Sequence, residues 1–165
     1  MIAVIEQTGI LPVIVVLGAH ASSLLSTCQG KNSIVVINET WQKGMASSIR
    51  CGIHALQKNY PACDGALIMV CDQPFITATL LENLVTIQKQ SLNPIAACQY
   101  DNTIGTPAVF HKTIFPELLS LQGDKGAGKI LQQRPGMVAT LDFPMGQFDI
   151  DTTEDYEALL KKASG

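Results

Sequence analysis

Aromatic residues are scarce, 5% of 165 positions, so a base-stacking platform is not expected. Charge is sparse too: 15% of residues are charged, and 11 Lys plus Arg against 14 Asp plus Glu leave a net charge of −3. No broad cationic face for nucleic acid or an anionic membrane is expected. Long apolar runs are missing. The longest, Val13–Leu17 and Ala66–Val70, fall far short of the ~20 residues of a membrane span. The opening Met1-Ile2-Ala3-Val4-Ile5-Glu6 lacks a basic stretch and meets an acid early, which argues against a signal peptide. The five cysteines, at 28, 51, 63, 71 and 98, are odd in number and form no Cys-x-x-Cys pair. That favours reduced thiols in a cytoplasmic chain over a disulfide framework or a structural zinc site.

What is present is a core. Hydrophobic residues make up 47% of the chain, and no repeat, low-complexity tract or linker divides it, so one domain over 1–165 is expected. Short β-branched runs alternate with helical patterns. Val13–Leu17, Ile34–Ile37, Ala66–Val70, Ile95–Cys98, Ala108–Phe110 and Val138–Leu141 read as strands, with a turn at Gly105-Thr106-Pro107. Helical spacing links Ala21, Leu24, Leu25 and Cys28. It also links Met45, Ile49, Ile53 and Leu56, then Leu80, Leu84 and Ile87 behind a capping box at Thr79–Glu82. Leu118–Leu121, Ile130–Gln133 and the segment after Asp151, with Tyr156, Leu159 and Leu160 on its apolar face, also read as helices. Apolar strands alternating with helices imply an α/β fold of three layers, its sheet mostly parallel and covered on both faces. Ile34–Ile37 and Ala66–Val70 are expected in one sheet. Ligands bind at the carboxyl ends of such strands, here Gly18-Ala19-His20, Asn38, Cys71-Asp72-Gln73-Pro74 and the loop before Asp151.

Asp72 ends an apolar strand, and Pro74 blocks its continuation. A carboxylate there can hold Mg²⁺ while the ion keeps waters and phosphate ligands, or it can simply cap the next turn. Asp149 and Asp151 fall on one side of an extended segment; Asp151 can equally N-cap the last helix with Glu154. Gly44-Met45-Ala46-Ser47-Ser48-Ile49-Arg50 is a glycine turn entering a helix, whose free amides and hydroxyls suit a ligand or an ordinary cap. Gly123-Asp124-Lys125-Gly126-Ala127-Gly128-Lys129-Ile130 imitates a Walker A loop. Ile130 replaces its Ser/Thr and no strand precedes it, so it reads as a decoy. His20, His54 and His111 share no metal-ligand spacing; His54 reads as structural, His20 and His111 as weak pocket candidates.

In order along the chain stand Val-Ile-Val-Val-Leu-Gly-Ala-His at 13–20, Asn38 with Trp41, Gly44 to Arg50, and Cys71-Asp72-Gln73-Pro74. Gly105 to Phe110, Gly123 to Ala127 and Asp149 to Tyr156 complete the set. Together they resemble the MobA-like nucleotidyltransferases, most closely the molybdenum cofactor cytidylyltransferase branch. The resemblance implies a Rossmann-like nucleotidyltransferase fold. It also implies a reaction: a nucleoside triphosphate, CTP more than GTP, is joined to a phosphorylated acceptor, molybdopterin, and pyrophosphate leaves. Asp72 and Asp151 would then be catalytic and hold Mg²⁺, with Asp149 in reserve. Asn38, Gly44, Met45, Ser47 and Ser48 would lie near base and ribose, and Thr106, Pro107 and Asp124 toward the acceptor.

The sequence departs from the family at its start. The family's first strand and glycine-rich loop, of the form Leu-Ala-Ala-Gly-x-Ser-x-Arg-Met-Gly-x-x-Lys, have no counterpart here, so the domain reads as N-terminally truncated. Gly128 stands where an arginine is common, and Thr153 where a proline is. The expectation is that this chain alone has little activity and self-associates. The alternatives are a non-catalytic remnant serving as a binding or assembly partner, and a transferase for a sugar- or alcohol-phosphate.

Overall fold

The structure is a computed structural model and describes residues 1–28, 30, 32–150 and 152–163. Its helices are α1 (Ile2–Thr8), α2 (Ala21–Leu24), α3 (Met45–Asn59), α4 (Ala78–Gln90), α5 (Phe115–Ser120), α6 (Gly128–Gln133) and α7 (Thr153–Ala163). Its strands are β1 (Val13–Leu17), β2 (Ser33–Ile37), β3 (Gly65–Ile68), β4 (Ile95–Tyr100), β5 (Thr103–His111) and β6 (Val138–Asp142). Among the described residues no helix is long and apolar enough to cross a membrane.

The strands form a parallel pair, β1–β2, and a mixed sheet in the order β3-β5-β4-β6. β5 is antiparallel to both β3 and β4, and β6 is parallel to β4, so β5 alone is reversed in that sheet. The expectation of one sheet holding Ile34–Ile37 and Ala66–Val70 is therefore corrected. β2 lies in the pair and β3 in the larger sheet, and among the described residues β1 and β3 each keep one edge without a strand partner.

Two apolar cores make the three layers. On one face Ile49, Ile53 and Leu56 of α3 pack with Ile95, Ala97, Ala108, Phe110 and the buried residues of α5 and α6. Ile14 of β1 and Ala66 and Ile68 of β3 pack on this same core, so α3 bridges the two sheets. On the other face Leu81 and Leu84 of α4 join Ala96, Cys98 and Val109, with Val4 and Ile5 of α1 alongside. β4 thus sends alternate residues into both cores, and Ile95 to Cys98 are all fully buried. That double burial is why its sequence is apolar without alternation.

Local chemistry moved several boundaries. Gly105-Thr106-Pro107 is no turn: it lies inside β5, opposite a register shift at Ala97/Cys98. The hairpin turns at Asp101 and Asn102, whose φ values of 45° and 59° suit residues that tolerate the left-handed region. The cap of α4 is Thr77, not Thr79; its Oγ1 accepts from the Leu80 N–H at 3.2 Å. β3 stops at Ile68, two residues early, and α2 is a single turn, ending at Leu24. On α7, Tyr156 is exposed and Leu159 half-buried.

Candidate active site

Asp72 sits four residues beyond the end of β3, in a bend closed by Pro74. It is half-buried, and its Oδ1 is completely buried with no hydrogen-bond partner. Its backbone carbonyl accepts from the Ile150 N–H at 2.8 Å. That bond brings the bend against the segment at Asp149 and Ile150. Asp151 lies outside the described residues. The cap expected of it is made by Thr152, whose Oγ1 accepts from the Asp155 N–H at 3.1 Å, while Asp155 Oδ2 accepts from the Thr152 N–H at 3.0 Å. This is a reciprocal capping box with Asp155, not Glu154, as its acid.

Gln73 and Tyr100 complete this cluster. The Gln73 side chain is buried, and its Nε2 donates to the Gly146 carbonyl at 2.8 Å, tying the Asp72 bend to the turn that leads into Asp149. Because a carbonyl only accepts, that bond fixes which end of the amide is nitrogen. The other end, Oε1, is buried and without a partner. Tyr100 Oη lies 3.5 Å from Gln73 Nε2 and donates to the Thr106 carbonyl at 3.3 Å. Burial raises the Tyr100 phenol above its ordinary pKa; the Gln73 contact opposes this, and the charges of Asp149, Cys98 and Asp72 add to it. The tyrosine therefore senses both carboxylates. A Cβ on Gly105 would meet Tyr100 Oη at 2.2 Å, and one on Gly146 would meet its ring at 2.6 Å, so both glycines make room for it. Neither Gln73 nor Tyr100 stands out as a site residue in the sequence. Gln73 adjoins Asp72 in the Cys71-Asp72-Gln73-Pro74 motif, but Tyr100 carries no local signal, because its role depends on two loops distant in sequence.

A second cluster surrounds the α3 N-terminus. The buried Asn38 donates through Nδ2 to Ser47 Oγ at 2.7 Å and Ser48 Oγ at 3.1 Å. Its Oδ1 accepts from the Thr40 N–H at 3.0 Å and the Thr40 hydroxyl at 3.1 Å. Both donors and both acceptor positions are used, so Asn38 builds the turn and presents nothing to a ligand. Ser47 is buried, and its single hydroxyl proton is shared between the Gly44 and Thr40 carbonyls, 2.9 and 3.1 Å from Oγ. Ser48 is half-buried and Met45 exposed. Gly44 has φ 88°, and a Cβ there would lie 2.3 Å from Asp124 Oδ1, so only glycine fits. The Ala46 N–H donates to the Gly123 carbonyl at 3.1 Å. The Walker-like loop is thus a support for the α3 turn, and Ala127, Ile130 and Leu131 behind it are core residues.

The structure divides the expected acceptor side. Thr106 belongs with Tyr100, Asp124 with Gly44, and Pro107 is fully buried. His54 is exposed and borders a cavity of about 330 Å³ with Asn38, Ser47 and Arg50, so the structural reading of it is corrected. His111 bonds Thr113 beside the first residue of β3, at the opposite end of that strand from Asp72. Among the described residues no three His, Cys, Asp or Glu side chains gather as a metal site. The unpartnered Asp72 oxygen nevertheless fits a hard divalent cation, which needs only one or two carboxylates when waters and phosphates fill its other positions.

The profile of the MobA-like NTP transferase domain matches residues 1–138. The chain belongs to this family. Purine catabolism protein PucB of Bacillus subtilis is 29% identical over 126 residues, 74% of this chain, and the match spans 59% of PucB's own length. Nicotine blue oxidoreductase of Paenarthrobacter nicotinovorans is 29% identical over 158 residues, 90% of this chain and 74% of that protein. Among solved structures, Rv0371c of Mycobacterium tuberculosis H37Rv is 30% identical with a TM-score of 0.76, covering 97% of this chain and 81% of that one. It has also been crystallised in complex with manganese. The MobA-like chain thus has the Rossmann-like α/β nucleotidyltransferase fold, and a solved structure at 30% identity to it is a complex with manganese.

Proposed function

We propose that this MobA-like chain is a nucleotidyltransferase domain that uses Mg²⁺ to transfer a nucleotide from CTP, in preference to GTP, to the phosphate of molybdopterin. An acceptor phosphate oxygen attacks the α-phosphorus. The new P–O bond forms as the bond to the bridging oxygen breaks, and pyrophosphate leaves with the electron pair. Asp72 and Asp151 would hold the ion, with Asp149 as the further carboxylate. The ion, when bound, neutralises the triphosphate and stabilises the departing charge. The chain's own residues set the geometry: Gln73 and the Ile150 amide hold the two acidic segments together, and the Asn38-braced turn shapes the nucleotide side. Base choice and acceptor rest on the sequence resemblance.

The observation that supports this reading is the buried, unpartnered Oδ1 of Asp72, whose backbone carbonyl meets the Ile150 amide beside Asp149. Such an atom costs about 1–3 kcal/mol unless something binds it. The test is Mn²⁺ binding by electron paramagnetic resonance, with pyrophosphate release from CTP and GTP in the presence of the pterin acceptor. Asp72→Asn keeps the side-chain volume and removes the charge. It should weaken Mn²⁺ at least about tenfold, as expected for a lost charge-assisted contact. Unchanged Mn²⁺ affinity in Asp72→Asn would refute the metal assignment. Release from GTP faster than from CTP would refute the base preference, and no release with molybdopterin would refute the acceptor.

A further inference from the structure

A second set of charged groups lies apart from the carboxylates. Lys43, Arg50, Leu119, Leu121 and Gly123 border a cleft of about 440 Å³, and no carboxylate lines it. The volume is within the usual range of small-molecule sites. Arg50 is half-buried on α3, and its Nη1 donates to the carbonyl of Leu121, just past the end of α5. That contact holds the guanidinium in place and leaves its remaining N–H groups for other partners. The same guanidinium borders the neighbouring cavity beside Asn38 and His54.

The charge balance makes this placement unusual. Acids outnumber bases 14 to 11, and Arg50 is one of only two arginines. The other, Arg134, is paired with Glu117 at 3.2 Å. Among the described residues neither Arg50 nor Lys43 has a carboxylate within ion-pair distance. Glu39 shares the wall of the neighbouring cavity with Arg50 and still makes no ion pair. A partly desolvated, uncompensated guanidinium is unfavourable, and a bound anion offsets that cost. The fork of an arginine matches two oxygens of a phosphoryl group, and a lysine beside it adds a mobile point charge.

We infer that Lys43 and Arg50 form an anion-binding cleft for a phosphoryl group, separate from the Asp72 carboxylate cluster. The inference does not rest on the metal reading. It gives the α3 turn a ligand-facing wall, which its own saturated side chains, Asn38 and Ser47, do not supply. The cleft adjoins Gly123, whose carbonyl already supports that turn, so an anion bound there would also brace the Gly44–Asp124 contact.

The experiment is titration of inorganic pyrophosphate, and separately of inorganic phosphate, by calorimetry in EDTA at constant ionic strength. The amide spectrum is followed in parallel. Wild-type protein should bind, with shifts confined to residues around 43, 50 and 119–123. Lys43→Ala, at an exposed position, should weaken pyrophosphate about tenfold with its melting temperature unchanged. Arg50→Lys keeps the charge, loses the fork and should weaken it further. Lys112→Ala, a cation on another face paired with Asp64, and Asp72→Asn should both bind as wild type. Equal weakening by Lys112→Ala would show diffuse attraction only and overturn the inference, as would wild-type affinity in Lys43→Ala. Loss of binding in Asp72→Asn would overturn the separation of the two sites.

Discussion

The amide of Ile150 donates to the carbonyl of Asp72 at 2.8 Å, across 78 positions of sequence. This backbone bond joins the bend beyond β3 to the Asp149 segment. The Gln73 amide makes a second tie between the same two segments, through the carbonyl of Gly146. Because both ties end on backbone atoms, substituting the acids should leave the scaffold standing.

Gln73→Leu tests that arrangement. Gly146 is buried, so its carbonyl would lose its partner in a dry place, at a cost of about 1–3 kcal/mol. Urea denaturation should show that loss, and Mn²⁺ affinity should fall with it as the two acidic segments loosen. Gln73→Glu keeps the shape but turns the donor into an acceptor facing a carbonyl, and it should be at least as destabilising. If both variants match wild type in urea and in Mn²⁺ affinity, the clamp is idle.

Alkaline pH should unfold the protein through Cys98. Its thiol is completely buried and is pushed up to about 12 from 9.0 by desolvation. The folded state therefore holds this proton more tightly than the unfolded chain. The stability it contributes is complete below about pH 9 and is lost as pH rises toward 12, on the order of 4 kcal/mol in all. Tyr100, raised in the same direction, adds to the slope above pH 10. Unfolding free energies measured between pH 8 and pH 11.5 should fall, and Cys98→Ala should flatten the curve. A wild-type profile level over that range would contradict the burial argument.

The two threonines at the start of α4 should separate cleanly. Thr77→Ala removes the side chain that accepts from Leu80 N–H and should cost about 1 kcal/mol. Thr79 lies inside the first turn, so Thr79→Ala should be neutral or slightly stabilising, since alanine is the better helix former. Thermal melts of the two variants side by side give the answer, and a larger loss in Thr79→Ala would reverse the cap assignment.

The open edges of β1 and β3 should govern association. Both strands carry half-buried apolar residues beside ladder groups that have no strand partner among the described residues. Such edges template pairing with another chain. Light scattering should show a mass that rises with concentration. Val15→Lys on β1, which places a charge beside that edge, should lower it. A monodisperse monomer at all concentrations would show that these edges are covered in another way.

Much of this protein is legible from its residues alone. Doubly apolar runs such as Ile95-Ala96-Ala97-Cys98 announce a covered sheet, because no solvent face permits that pattern. The ordered motifs from Val13 to Tyr156 announce the family. The position of Asp72 in the bend beyond a strand follows from the apolar run before it and Pro74 after it. These are local features, set by periodicity and backbone chemistry. Tertiary structure decided the remainder. Whether β2 and β3 share a sheet depends on pairing between strands far apart in sequence, and the answer was two sheets bridged by α3. Whether Asn38 faces a ligand or a turn depends on where Thr40, Ser47 and Ser48 place their polar atoms. The partners of Gln73, Tyr100 and Arg50 are a carbonyl at Gly146, another at Thr106 and a third at Leu121. A backbone carbonyl has no side-chain identity, so no pattern in the sequence could have pointed to any of them.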